Sequence, residues 1–432
     1  MDLLIKNAQI LPMTEEGLSF SGSIGIDSGK IVFIGKEPGS QKAKHVIDAD
    51  HMLALPGLVN AHTHLSMTYF RNYQDVVTDL HDWLSKIWPI EDALSPQDVY
   101  HGSVVGIAEA IMSGTTCFTD MYFFAHETCK AAGEAKIKAN IGLTLFGNLE
   151  QSRMRVDNTL VQLSESVAPY TSFVSIDVAP HAVYTCPPET YLFARELKEK
   201  LGCSLHTHAC ETKKEVTDCL SAYGKTPIEL LADLGCLDKR TYLAHCVHLS
   251  EHDIELLKQY KPGVVHNPSS NCKLASGIAP VARILGTTGN VALGTDGASS
   301  NNNLDMFQEM RLCAMLSAVS TGNPRALTPY EILRMATLGG ATALHRAHEC
   351  GTLEVGKDAD IILVDIDKPH LTPLNDPFSA LVFSAKSSDV DTTICKGNIL
   401  MQNRCLTTID QEASMKQLTR HWKQLLDRTT TS

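Results

Sequence analysis

No stretch of this 432-residue chain approaches the roughly 20 consecutive apolar residues that a membrane-spanning helix needs. The opening residues, Met1-Asp2-Leu3-Leu4-Ile5-Lys6-Asn7, carry no basic segment leading into a long apolar run, so no secretory leader is expected. Basic charge is scarce. The 37 Lys and Arg stand against 49 Asp and Glu, a formal net charge of -12, with no long basic tract. That balance argues against nucleic acid or a membrane surface as the principal partner and leaves a small molecule. Closely spaced cysteine pairs are missing as well: the thirteen cysteines are an odd number, and the nearest two, Cys203 and Cys210, lie seven residues apart. A CxxC zinc knuckle and a dense disulfide framework are thereby excluded, and the reducing cytoplasm is the expected location. Internal repeats, low-complexity tracts and flexible linkers are also absent. What remains, with 44% hydrophobic residues and a mean hydropathy of -0.06, is an ordinary globular composition. Its length suits one large α/β barrel with an accessory module, or two domains.

From about residue 55, short apolar runs alternate with helix-length segments. The runs are Leu55 to Asn60, Thr116 to Phe118, Ala139 to Leu145, Phe173 to Ala179, Ser204 to His208, Tyr242 to His245, Gly263 to His266 and Val291 to Thr295. Eight strands alternating with helices predict a (β/α)8 TIM-like barrel, and so an α/β fold class. Outside that region both chain ends read as strands. Leu3 to Ile10, Ser23 to Ile26 and Lys30 to Ile34 come first, with Asp27-Ser28-Gly29 as a hairpin turn; Ile361 to Asp365, Thr392 to Lys396 and Ile399-Leu400 come last. The two ends are expected to form one small β-sandwich module from residues 1–55 and 350–409, beside a barrel over 56–349. A terminal helix is expected within 410–432.

The chemistry concentrates at the strand ends, where barrel enzymes place their catalytic groups. His62 and His64 close the first strand. Residues i and i+2 of a strand share a face, so both imidazoles can meet one metal ion. The fourth strand ends at His181, the fifth runs through His206 and His208 to Glu211, the sixth ends at His245 and the eighth at Asp296. His62, His64, His208 and Asp296 make a ligand set suited to one divalent metal, zinc first and iron second, with a position left for water. Such a metal brings the pKa of its water near 7. Glu211, three residues past His208, is placed to shuttle protons without ligating the metal. His245 is expected to hydrogen-bond the attacking oxygen or polarise the substrate, and Asp296 to accept the water proton. His206 is assigned to barrel packing and His248 to the start of a helix. His266 is left between packing and the pocket, and Asp120 and Glu127 are taken as structural.

These residues resemble the amidohydrolase superfamily over nearly the whole chain. The resemblance is carried by residues 56–64, by His208 to Glu211, by Asn267-Pro268-Ser269-Ser270-Asn271 and its continuation to Gly277, by Gly294-Thr295-Asp296-Gly297, and by residues 356–364. Trp83-Leu84, Trp88-Pro89-Ile90-Glu91, His181 and Asn301-Asn302-Asn303 are similar to the group that deaminates 5'-methylthioadenosine and S-adenosylhomocysteine. The resemblance implies hydrolytic deamination of an adenine nucleoside at C6, with Glu91 on the ribose, His181 on the base, and Trp83 and Ser300 about the substrate. Arg155, or else Arg153, would contact the substrate's tail. A second arginine that the group can carry is replaced by Leu143-Thr144, which favours methylthioadenosine or adenosine over S-adenosylhomocysteine. A homo-oligomer is expected. The alternatives are another single-metal member, such as a guanine, 8-oxoguanine or triazine hydrolase, and a scaffold that has lost the chemistry. Glu91 opposes the first, because a free base has no ribose, and the complete ligand set opposes the second. A two-metal member would need a lysine at the end of the fourth strand, and residues 173–183 hold none.

Overall fold

The computed structural model describes residues 1–36, 42–166 and 168–430. Its chain-end strands are β1 (Leu3–Ile10), β2 (Phe20–Asp27), β3 (Lys30–Gly35), β4 (His45–Asp48) and β5 (Met52–Pro56). The barrel follows with β6 (Leu58–Asn60), β7 (Thr115–Tyr122), β8 (Lys138–Leu145), β9 (Val174–Pro180), β10 (Leu205–Ala209), β11 (Thr241–His245), β12 (Gly263–His266) and β13 (Ala292–Leu293). β14 (Ile361–Asp365), β15 (Val390–Cys395), β16 (Asn398–Gln402) and β17 (Cys405–Leu406) then return to the first group.

Strands β6 to β13 lie in chain order as one parallel eight-stranded sheet, the expected barrel. Every residue of β7, β8, β10, β11 and β12 is buried. Helices cover the outside and side chains fill the inside, which is why these strands read as unbroken apolar runs in the sequence. One backbone and two side-chain hydrogen bonds complete the seam between β13 and β6. Ala61 N donates to Leu293 O at 2.9 Å, Asn60 Nδ2 to Thr295 Oγ1 at 2.7 Å, and Thr295 N to Asn60 Oδ1 at 3.0 Å. Because Thr295 is bound by a side chain, β13 ends two residues earlier than its apolar run suggests. Gly294 permits the approach: a Cβ there would stand 2.8 Å from the backbone nitrogen of His62.

The first expected strand is in fact two. Met52–Pro56 pairs antiparallel with β14, and Leu58–Asn60 pairs parallel with β7. Gly57 turns the chain between them where a Cβ would fall 2.1 Å from Thr116 Oγ1. Through β5 the two chain ends join in a nine-stranded sheet of order β17-β16-β15-β14-β5-β1-β2-β3, with β4 beside β1. It encloses its own core, including Ile5, Ile24, Ile31, Ala54, Leu363 and Ile394. The buried Lys138, at the start of β8, fastens barrel to sheet: its Nζ lies 2.6 Å from both Asp358 and Asp360.

Two helices after β6 shape the mouth of the barrel. Helix α1 (Leu80–Glu91) is capped by Asp79, and α2 (Pro96–Met112) by a reciprocal Ser95 and Asp98 box. The C-terminal helix Gln411–Thr430 packs on them through Leu418, Trp422, Leu425 and Leu426, with Trp422 against the rings of Tyr69, Phe70 and Tyr73.

Candidate metal centre and substrate pocket

Three imidazoles and one carboxylate converge at the C-terminal mouth of the barrel. His64 Nδ1 lies 2.6 Å from Met121 O, and His208 Nδ1 lies 2.8 Å from His181 O. A carbonyl only accepts, so both Nδ1 atoms carry hydrogen, and each neutral ring turns a bare Nε2 inward. Those two Nε2 atoms stand 3.3 Å apart. Two lone pairs at that distance repel unless a cation lies between them. Asp296 supplies the anion: its Oδ1 is 3.4 Å from His62 Nε2 and 3.2 Å from His64 Nε2. His62 Nε2 is buried with no hydrogen-bond partner of its own. The donors therefore fit a divalent metal held by His62, His64, His208 and Asp296. His62, His208 and His245 also form a close nitrogen triad.

The electrostatics point the same way. Burial lowers His62 to about 4 and holds His208 well below the usual imidazole range. At His64 burial acts downward too, but the neighbouring Asp296 outweighs it and raises the ring to about 9. Burial would raise Asp296, yet its contacts with His62 and His64 hold it well below the carboxylate range. Ser270 Oγ donates to Asp296 Oδ2 at 2.6 Å, and Gly297 N donates to Oδ1 at 2.8 Å. Asp296, at φ 62°, and His245, at φ 75°, occupy left-handed backbone where side-chain-bearing residues are uncommon.

Above the metal cluster lies a cavity walled by α1, the end of β7 and the loops after β9, β10 and β13. Glu211 is buried in it, 3.8 Å from His245 Nε2 through Oε2, and burial raises its pKa. His245 Nδ1 is fixed at 2.8 Å by Asn271 Oδ1. Glu91, the last residue of α1, faces the same cavity and accepts from Tyr122 OH at 2.5 Å. Its pKa is pushed up to about 7 by burial, against the lowering effect of that hydrogen bond. Among the described residues it forms no ion pair, and α2 is capped by the reciprocal Ser95 and Asp98 box rather than by Glu91. Trp83 also lines the cavity, with a buried indole N–H that has no protein partner. Ser300 and His181 complete the wall, the latter with Nδ1 2.8 Å from Thr185 Oγ1.

A model of the amidohydrolase family matches residues 53–400. The chain belongs to that family. Across 420 residues it is 44% identical to a 5-methylthioadenosine/S-adenosylhomocysteine deaminase of Caldanaerobacter subterraneus subsp. tengcongensis, covering 95% of this chain and 96% of the relative. It is 45% identical over 417 residues to a 5'-deoxyadenosine deaminase of Methanosarcina acetivorans, covering 95% of each. Among solved structures, an adenosine deaminase from Xanthomonas campestris with bound zinc superposes with a TM-score of 0.92 at 32% identity, covering 100% of this chain and 99% of that one.

In this amidohydrolase, Arg155 stands outside the inner cavity. It lines a wider one that opens off it and shares Trp88, Glu91, Phe123 and Phe146, with its guanidinium 4.7 Å over the Phe123 ring. Arg153 faces elsewhere, over Phe193. His206 does more than pack. Its Nε2 lies 3.0 Å from His62 Nδ1, so it orients that ring while stacking on Tyr242. His248 binds Ser276 O at 2.6 Å, and His266 is buried away from the cavity. Asp120 accepts from Leu65 N at 2.7 Å and fixes the turn after His64; Glu127 lies on a helix remote from the cluster. Sequence reasoning gave no role to Tyr122, Ser270 or Asn271. The last two lie inside the 267–277 run, but nothing in that string tells which side chain turns toward Asp296 and which toward His245.

Proposed function

We propose that the protein is a hydrolytic deaminase of adenine nucleosides, converting the 6-amino group of 5'-methylthioadenosine, S-adenosylhomocysteine or adenosine to the hypoxanthine product and ammonia. One observation carries the reading: a buried carboxylate, Glu91, shares a cavity with Glu211 and a metal-ready His and Asp cluster. Zinc is the proposed metal, one per chain, held by His62, His64, His208 and Asp296; when bound it supplies a water acidic enough to attack near neutral pH. His245, steadied by Asn271, hydrogen-bonds the attacking oxygen, and Asp296 takes the proton that oxygen releases. Glu211, buried in the cavity beside His245 and raised in pKa by that burial, is the group that carries a proton to the adenine ring nitrogen as C6 is attacked. One proton of the water leaves with the amino group as ammonia, the other restores the one Glu211 gave up, and the ring keeps the oxygen at C6 and the proton on its nitrogen. His181 contacts the base from the β9 end, and Trp83 and Ser300 bound the ligand. Glu91 accepts from the ribose hydroxyls, while the 5' substituent extends toward Arg155. The free state of all thirteen cysteines supports a reducing compartment.

The test is ammonia release across adenosine, methylthioadenosine, S-adenosylhomocysteine, guanine and triazines, with zinc and iron measured on the same preparation. Turnover of the nucleosides with about one metal per chain is the expected result. Turnover of guanine or a triazine alone would replace this reading, and two metals per chain would indicate an amide hydrolase.

A further inference from the structure

Glu309 lies on the helix Met306–Thr321, fully buried, and does not line the substrate cavity. Its two oxygens serve different loops. Oε2 accepts from Ser269 N at 3.0 Å, and Oε1 accepts from Asn301 Nδ2 at 2.8 Å. Both contacts lead directly to the metal cluster. Ser269 is followed by Ser270 and Asn271, whose side chains hold Asp296 and His245. Asn301 Nδ2 also donates to Thr295 O at 2.7 Å, fixing the residue before Asp296. Asp296 sits in left-handed backbone, which persists only where its surroundings over-determine it.

We propose that Glu309 is a positioning residue for the metal site: one carboxylate clamps the 267–277 and 295–303 loops together and so fixes the Asp296 carboxylate where it can ligate. The inference rests on the metal site of the proposed function. Both partners are N–H donors, so the site calls for two acceptor oxygens, although burial pushes the group up to about 8. A glutamine would offer one oxygen and set its amide hydrogens against the other donor. Ser269 N cannot turn away, being backbone, and Asn301 cannot flip without giving up Thr295 O.

The experiment compares zinc-loaded parent, Glu309→Gln, Ser270→Ala and the double variant for zinc loss to a chelator, alongside Tm and steady-state kinetics. Outer contacts of this kind commonly change metal affinity or activity by about 10-fold to 100-fold. Glu309→Gln should lose zinc about 10-fold faster or more, with kcat reduced and KM little changed. The double variant should lose it little faster than the worse single one, because both act on Asp296. Should Glu309→Gln not fold, Asn301→Ala removes one of the two clamped donors and must also speed zinc loss. A variant with lower Tm but unchanged zinc loss would show that Glu309 only stabilises the fold, and multiplying effects would show that it acts elsewhere; either overturns the proposal. A parent that holds no zinc would overturn the metal-site reading along with it, whereas a zinc-holding parent with unaffected variants overturns this proposal alone.

Discussion

Replacing Glu91 separates a nucleoside deaminase from a free-base deaminase within the same barrel. The side chain is buried at the end of α1 and has one protein partner, Tyr122, on Oε1. Its other oxygen is available to a ribose hydroxyl. A hydrogen bond to a charged group contributes about 1.5 to 3 kcal/mol; at about 1.4 kcal/mol per tenfold in rate, its loss is worth roughly 10-fold to 150-fold in kcat/KM. Glu91→Gln keeps an acceptor for Tyr122 and so tests the charge, while Glu91→Ala also strands the tyrosine hydroxyl. Both should lose kcat/KM with adenosine or methylthioadenosine, Ala more than Gln, and much less with analogues lacking the 2' and 3' hydroxyls. The pH dependence adds a second measurement. Burial raises Glu91 to about 7, so the carboxyl is largely neutral at pH 6 and charged at pH 8. A carboxylate is the better acceptor. In the parent, kcat/KM for nucleosides should rise through pH 7, and in Glu91→Gln that rise should vanish. Equal losses with and without ribose hydroxyls, or an unchanged pH profile, would refute the assignment and leave the substrate class open.

Glu211→Gln should keep its metal and lose roughly 100-fold to 10,000-fold in kcat, since the amide is nearly isosteric but cannot carry the proton; metal analysis beside steady-state kinetics checks both halves. Asp296→Ala and His208→Ala should purify with little metal and little activity, and full metal in either would break the ligand assignment. Lys138→Met should destabilise the fold by about 3 to 5 kcal/mol, read by denaturant unfolding, because it leaves the buried Asp360 without its cation, while Asp358 keeps Lys30 and Lys396.

The barrel is legible in the chain alone. Seven of its eight strands are buried throughout, β9 alone exposing a residue, and such strands are written as contiguous apolar runs that a linear reading can find. The residue types at the strand ends are legible there too, because a ligand placed at a C-terminal strand end is a statement about sequence position. Which nitrogen of each imidazole turns inward is set by the folded chain, since that depends on carbonyls at Met121 and His181, distant in sequence from the rings they fix. The tertiary structure also decides that His206 orients His62 across the barrel, that Tyr122 holds Glu91, that Gly57 divides one apolar run between two sheets, and that Arg155 stands in a cavity beside the pocket. The physical reason is the same in each case. Burial along a strand is periodic and local, so it leaves a pattern in the chain, whereas a hydrogen bond between elements depends on two side chains whose separation in sequence carries no record of their separation in space.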